Sequence, residues 1–148
     1  MAKHNNSGSC DKCLEIFSRY PVCPLIKKWF SYTQSLVPDA HISCAGRGQV
    51  EQETEFQRKS SNAHWKQSAH NWGAAVDIFQ LTSDGKLSYD KDWFNKKIAT
   101  SVEYFNKLNQ SCSLNWYGAP GSAFYELPHV EIKDWQKFKE KLGLKLVE

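Results

Sequence analysis

No apolar run in this 148-residue chain reaches the length of a membrane-spanning helix. The opening stretch MAKHNNSGSCDKC has no apolar h-region, so no secretory signal peptide is expected and the chain is expected in the cytoplasm where it is made. Blocks of five or six like charges are also lacking. The net charge of +3, from 19 Lys and Arg against 16 Asp and Glu, is mildly basic; it suits work near an anionic polymer and does not demand nucleic acid. There is no internal repeat, no low-complexity tract and no dividing linker. A single domain over residues 1–148 is expected, with residues 1–9 loose. The cysteine count is odd, at five, which together with the missing signal argues against a full disulfide framework. Cys10-x-x-Cys13 followed by Cys23 fits part of a structural zinc site with His4 as a fourth ligand, but the usual second CxxC or HxxxH pair is missing. Reduced structural thiols are the alternative reading, and His41 is given no role.

What the chain does have is apolar and aromatic material: 41% hydrophobic residues, 14% aromatics and six tryptophans, ample for a core and a groove. Helix-like spacing, broken by Pro21 and Pro24, predicts two short helices, the second over Leu25–Leu36. HISCAG reads as a strand, QVEQETEFQRKS as a helix, SSNAHWKQSAHNWG as a loop and AAVDIF as a strand. Trp93, Phe94, Ile98, Val102 and Phe105 recur at three- and four-residue intervals, so DKDWFNKKIATSVEYFNKL predicts the clearest helix, capped by Asp90 or Asp92. SLNWYG and HVEI read as strands, APGSAFYELP as a loop and KDWQKFKEKLG as a closing amphipathic helix. Helices first, then strands mixed with helices, predict an α+β fold with a small antiparallel sheet and flanking helices.

Two short pieces carry the chemistry. In SAHNWGAAVDIF, His70 lies just before a strand and Asp77 within it, with Gly73, Ala74 and Ala75 allowing a close turn between them. In ELPHVEI, His129 opens a second strand, where alternation puts His129 and Glu131 on one face and Val130 and Ile132 on the other. If the strands are neighbours, two imidazoles and one carboxylate converge with a fourth position open, the composition of a catalytic zinc site. Glu126, three residues before His129, is then placed to take a proton from a water and return it to a leaving amine. Glu131 reads as an outer partner of the metal ligands or as a solvated strand residue. His64, Trp65, Trp72, Trp116 and Tyr117 are candidates to line the groove.

SAHNWGAAVDIF resembles the SxHxxGxAxD motif of the peptidase M15 family, zinc D-alanyl-D-alanine peptidases and related phage endolysins. ELPHVEI resembles that family's second motif, and GRGQVEQ its upstream segment, in which Gly-Arg is followed by Glu-Gln four and five positions after the Arg. The three pieces stand in family order between Gly46 and Ile132. The resemblance implies a zinc ion (Zn2+) held by His70, Asp77 and His129, with Glu126 as catalytic acid and base. It implies Arg47 as the stabiliser of the developing oxyanion, a role that suits a fixed guanidinium near a scissile carbonyl. It also implies Ser68 as support for the substrate or for the loop of His70. Gly48 stands where Ser or Thr is commoner in the family, and Glu126 where many of its endolysins have Asp.

The implied activity is zinc-dependent hydrolysis of an amide bond in the peptide stem of bacterial peptidoglycan by a monomeric endolysin, cutting L-alanyl-D-glutamate. Release from the host cytoplasm by a holin is the expected route to the wall. A D-alanyl-D-alanine carboxypeptidase or dipeptidase is the alternative enzyme. A hedgehog-like binding module, with zinc present but no catalysis, is the alternative of another kind; Glu126 and Arg47 argue against it.

Overall fold

The computed structural model of the chain describes residues 2–61, 63–122 and 125–147. Met1 of the N-terminal segment expected to be loose, Asn62 of the polar loop, Ala123 and Phe124 of the loop before Glu126, and Glu148 lie outside the described residues. Helix α1 spans Asp11–Ser18 and α2 spans Pro24–Leu36. Pro24 opens α2 because a first-turn residue has no intrahelical partner for the N–H that proline lacks. Ile26, Trp29 and Phe30 follow at helical spacing and are all buried.

Among the described residues five strands follow: β1 (Ala40–Cys44), β2 (Ala75–Leu81), β3 (Leu87–Ser88), β4 (Leu114–Trp116) and β5 (His129–Ile132). They form one antiparallel sheet in the order β1-β2-β5-β4, with β3 paired to the end of β2. Helix α3 (Gln49–Gln57) lies between β1 and β2 in sequence. The fold is therefore α+β, with a small antiparallel sheet and flanking helices. Among the described residues no helix is long and apolar enough to cross a membrane.

Directly paired residues of antiparallel strands share a face, so the register sorts the side chains. One face carries Ile42, Val76, Ile78, Leu114, Val130 and Ile132, all at most 1% exposed and clustered with Trp29, Phe94, Ile98 and Phe105. Burying each such aliphatic side chain contributes roughly 1.5–3 kcal/mol. The other face carries His41, Asp77, Phe79, His129 and Glu131. A bulge between Ile42 and Cys44 breaks the alternation of β1 and brings Cys44 opposite Asp77, onto this second face.

Two helical stretches depart from the simple pattern. The long helix begins as α4 (Lys91–Trp93), with the Asp90 carboxylate accepting from the Trp93 amide at 3.2 Å, passes through a π-helical turn at Phe94–Ile98, and continues as α5 (Ala99–Leu108). All five of its periodic apolar residues are buried. The closing helix expected over KDWQKFKEKLG is only a 3₁₀ turn, Trp135–Phe138, followed by irregular turns. Tertiary contacts override the helical pattern here. The Lys139 ammonium sits 4.1 Å from the Trp72 ring centre and 5.3 Å from that of Trp135, and the Val147 amide donates to the Asn71 carbonyl at 2.7 Å.

Candidate active site and metal centre

The SAHNWG segment folds as a 3₁₀ turn, Ala69–Trp72, between a serine cap and a glycine exit. The Ser68 hydroxyl accepts from the His70 amide at 3.2 Å. Gly73 takes a left-handed conformation, φ +65°, and a side chain there would lie 2.3 Å from the Pro21 carbonyl oxygen. The Cys23 amide donates to the Gly73 carbonyl at 2.9 Å, which fixes the close approach. This turn delivers the buried His70 to the polar face of the sheet beside Asp77 of β2.

Asp77 pairs with His129 across β2 and β5. Its Oδ1 lies 3.3 Å from His70 Nε2 and 3.2 Å from His129 Nδ1. Two nitrogen or oxygen ligands of one tetrahedral zinc, each about 2.0–2.1 Å from the ion, stand about 3.3–3.4 Å apart. The donor set suits zinc, and the Asp77 edges to His70 and to His129 both match that spacing. The ligand atoms of Cys44, His70 and Asp77 all lie within 4.8 Å of one another, and His129 reaches this set through Asp77 Oδ1. The Cys44 sulfur, however, faces His70 Nδ1 at 3.9 Å, while Nε2 faces Asp77, so the thiol backs the ring rather than joining the His129 set.

The electrostatics follow from this packing. Burial disfavours charge on His70, but the adjacent Asp77 carboxylate outweighs it and raises the imidazole to about 10. Burial likewise disfavours charge on Asp77, yet the two imidazoles hold its carboxyl far below the usual carboxylate range. The site is thus built around a carboxylate that requires a cation. Behind it, His129 Nε2 pairs with Glu131 Oε1 at 2.7 Å, leaving Nδ1 to face Asp77. Tyr117 packs edge-on against the His129 ring at 5.3 Å. Burial and the neighbouring Glu131 push its hydroxyl up to about 12.

Glu126 is held by backbone bonds to Tyr117 and His129, and its Oε2 reaches to 3.5 Å from His129 Nδ1. Its side chain is 51% exposed, open to a cleft of about 380 Å³ lined by Ser68, Tyr117, Glu126, His129 and Glu131, among others. A second cleft of about 330 Å³ shares Ser68, Glu126 and His129 and adds Arg47, His70 and Asp77. The structure thus brings together His70, Asp77, His129, Glu126, Arg47 and Ser68, the six residues singled out in the sequence. Of the aromatic groove candidates, Tyr117 lines the cleft. Trp116 is buried, with its indole donating to the Leu127 carbonyl; Trp72 packs on Trp135; and His64 lies against Phe56 and Glu53.

Two buried side-chain amides position these segments. Gln52 is fully buried in α3, where its Oε1 accepts from Arg47 Nη1 at 3.1 Å and from Asn71 Nδ2 at 3.2 Å. Its amide nitrogen donates to Ser61 and to the Ala63 carbonyl. Asn71 donates to the Arg47 carbonyl at 2.9 Å and accepts from the amides of Lys66 and Ser68. Gln52 stood within the GRGQVEQ segment and Asn71 within SAHNWG, but only the fold shows that they join the two segments. Gly48 precedes α3 and donates its amide to Glu51 Oε1 at 3.3 Å, so no side chain at position 48 is needed to hold the turn after Arg47.

No family model matches the chain, and no curated protein does. Among solved structures the chain is similar to the Serratia marcescens L-Ala D-Glu endopeptidase ChiX. The match has a TM-score of 0.69 at 19% identity and covers 88% of this chain and 90% of that one. The two share a fold over nearly their whole lengths.

Proposed function

We propose that the protein is a zinc-dependent peptidase that hydrolyses the L-alanyl-D-glutamate bond of peptidoglycan stem peptides. The observation that carries this reading is the meeting of His70 Nε2, Asp77 Oδ1 and His129 Nδ1 at the floor of clefts lined by Glu126 and Arg47. The fold shared with an L-Ala D-Glu endopeptidase supports the choice of bond.

A zinc ion held by the three ligands supplies Lewis acidity, polarising an amide carbonyl and making water acidic near neutral pH. The chain's own groups do the rest. Glu126, open to the cleft, takes the proton from the attacking water and delivers it to the departing amine. Arg47, held at Nη1 by Gln52, keeps its charge toward the oxygen on which negative charge develops. Ser68 fixes the His70 turn and also lines both clefts. Glu131 holds the His129 ring in the tautomer that leaves Nδ1 free.

A zymogram of purified cell walls tests this reading. Clearing by the zinc-loaded protein, abolished by chelator and restored by zinc, is the expected result; a protein that binds zinc but never clears would be a binding module.

A further inference from the structure

A second cluster of metal-ligating side chains stands apart from the catalytic cleft and has no part in the proposed reaction. We propose that His4, Cys10, Cys13 and His41 form a structural zinc site with two thiolate and two imidazole ligands. Their ligand atoms all lie within 4.8 Å of one another, and Cys10, Cys13 and His41 are buried. His4 Nδ1 stands 3.5 Å from each of the two sulfurs, and His41 Nδ1 stands 3.4 Å from Cys13 Sγ. With bonds of about 2.3 Å to sulfur and about 2.0–2.1 Å to nitrogen, a tetrahedral zinc sets each sulfur–nitrogen edge at about 3.5 Å. All three distances match. Four protein ligands leave no open position, which is the arrangement of a structural rather than a catalytic zinc.

The surroundings are those of ligands held in place for a metal. The outer nitrogen of His41, Nε2, is paired with Asn6 Oδ1 at 2.8 Å, which leaves Nδ1 as the lone pair turned into the cluster. The Ile42 amide points at Cys13 Sγ at 3.5 Å, and Gln34 Nε2 at 3.8 Å. Gln34 also accepts from the Cys10 amide at 2.9 Å, so one buried glutamine braces both cysteines. Phe79 closes the inner side, stacked on His41 and edge-on to His4.

Cys23, grouped with Cys10 and Cys13 by sequence spacing, is not in this cluster; it precedes α2, and His41 of β1 takes the fourth place. A zinc here would join the N-terminal segment and the start of α1 to β1, next to the strand that carries Asp77. The N-terminal segment already meets the sheet through Asn6, which also donates to the Leu81 carbonyl.

The test is zinc analysis of the full chain, with cobalt(II) exchanged into the chelated protein. The expected result is two zinc ions per chain, and with cobalt the near-ultraviolet charge-transfer band of a thiolate ligand. His129→Ala should fall to one zinc and keep that band. Cys13→Ser should fall to one zinc and lose the band. His4→Ala, at a partly exposed position, should weaken the second zinc while leaving the chain folded, which covers the case of Cys13→Ser failing to fold. Cys44→Ser should keep the band, excluding Cys44 as its source. A wild-type band absent with cobalt, one zinc that vanishes with His129→Ala, or a Cys10–Cys13 disulfide in place of metal would overturn the proposal. Loss of the catalytic reading alone, with His129→Ala keeping both zinc ions, would leave the thiolate band and the second site standing.

Discussion

His129 and Glu131 alternate along β5 onto the same face, and Nε2 of the one pairs with Oε1 of the other at 2.7 Å. The opposite ring nitrogen faces Asp77. A carboxylate on the far nitrogen fixes the tautomer and raises the basicity of the metal-facing one. Glu131→Ala should therefore keep the fold and weaken zinc binding at this site by about 10–100-fold. Competition titration with a chromophoric chelator reads the change, and unaltered affinity would leave Glu131 as a bystander.

Glu126 approaches His129 Nδ1 at 3.5 Å yet is half exposed in the cleft, the position of a proton carrier rather than of a buried ligand. Glu126→Gln should hold zinc and fold while losing about two to four orders of magnitude in turnover, the range for removing a general acid and base. Glu126→Asp should fall between, because the shorter arm keeps a carboxylate. Cell-wall hydrolysis rates, with zinc content and circular dichroism alongside, decide the matter; a loss of zinc would instead put Glu126 among the ligands.

Arg47 depends on Gln52 for its direction. Arg47→Ala should lower turnover by about 10²–10³-fold with unchanged zinc content, as for loss of an oxyanion donor. Arg47→Lys should not restore it, since an ammonium cannot both meet Gln52 and present the same planar fork. Gln52→Ala removes four hydrogen bonds made by a fully buried side chain and should cost about 1–3 kcal/mol in stability as well as activity. Thermal melts and kinetics of the three variants separate the two effects.

Gly73→Ala tests the turn that carries His70. The added methyl would meet the Pro21 carbonyl at 2.3 Å in a left-handed backbone. The conformation alone costs roughly 1–2 kcal/mol for a residue with a side chain, so a lowered melting temperature is expected. A melt indistinguishable from wild type would mean that the turn is not under this constraint.

The site was legible in the sequence where short-range pattern and chemistry coincide. Alternation along HVEI puts His129 and Glu131 together, and the brevity of AAVDIF marks the strand that holds Asp77. What sequence could not show were contacts made by strand register and by buried amides. The bulge that turns Cys44 toward Asp77 leaves no local signal, because it is a mismatch between two strands. The resemblance marks Gln52 and not Asn71, and neither segment shows that their buried amides meet until the fold brings them together. His41 sits 28 positions from Cys13, so no motif spacing joins them. The closing segment is not a continuous helix: Asp134 takes a left-handed conformation, φ +55°, and Trp135 packs on Trp72.

Zinc at His70, Asp77 and His129 is proposed to make this chain cut the stem peptide of peptidoglycan. The most direct measurement is mass spectrometry of fragments released from purified peptidoglycan by zinc-loaded, chelated and zinc-restored protein. The expected fragments carry a newly freed amine on D-glutamate, are absent after chelation and return with zinc. Release of terminal D-alanine instead, or cleavage indifferent to the metal, would contradict that proposal.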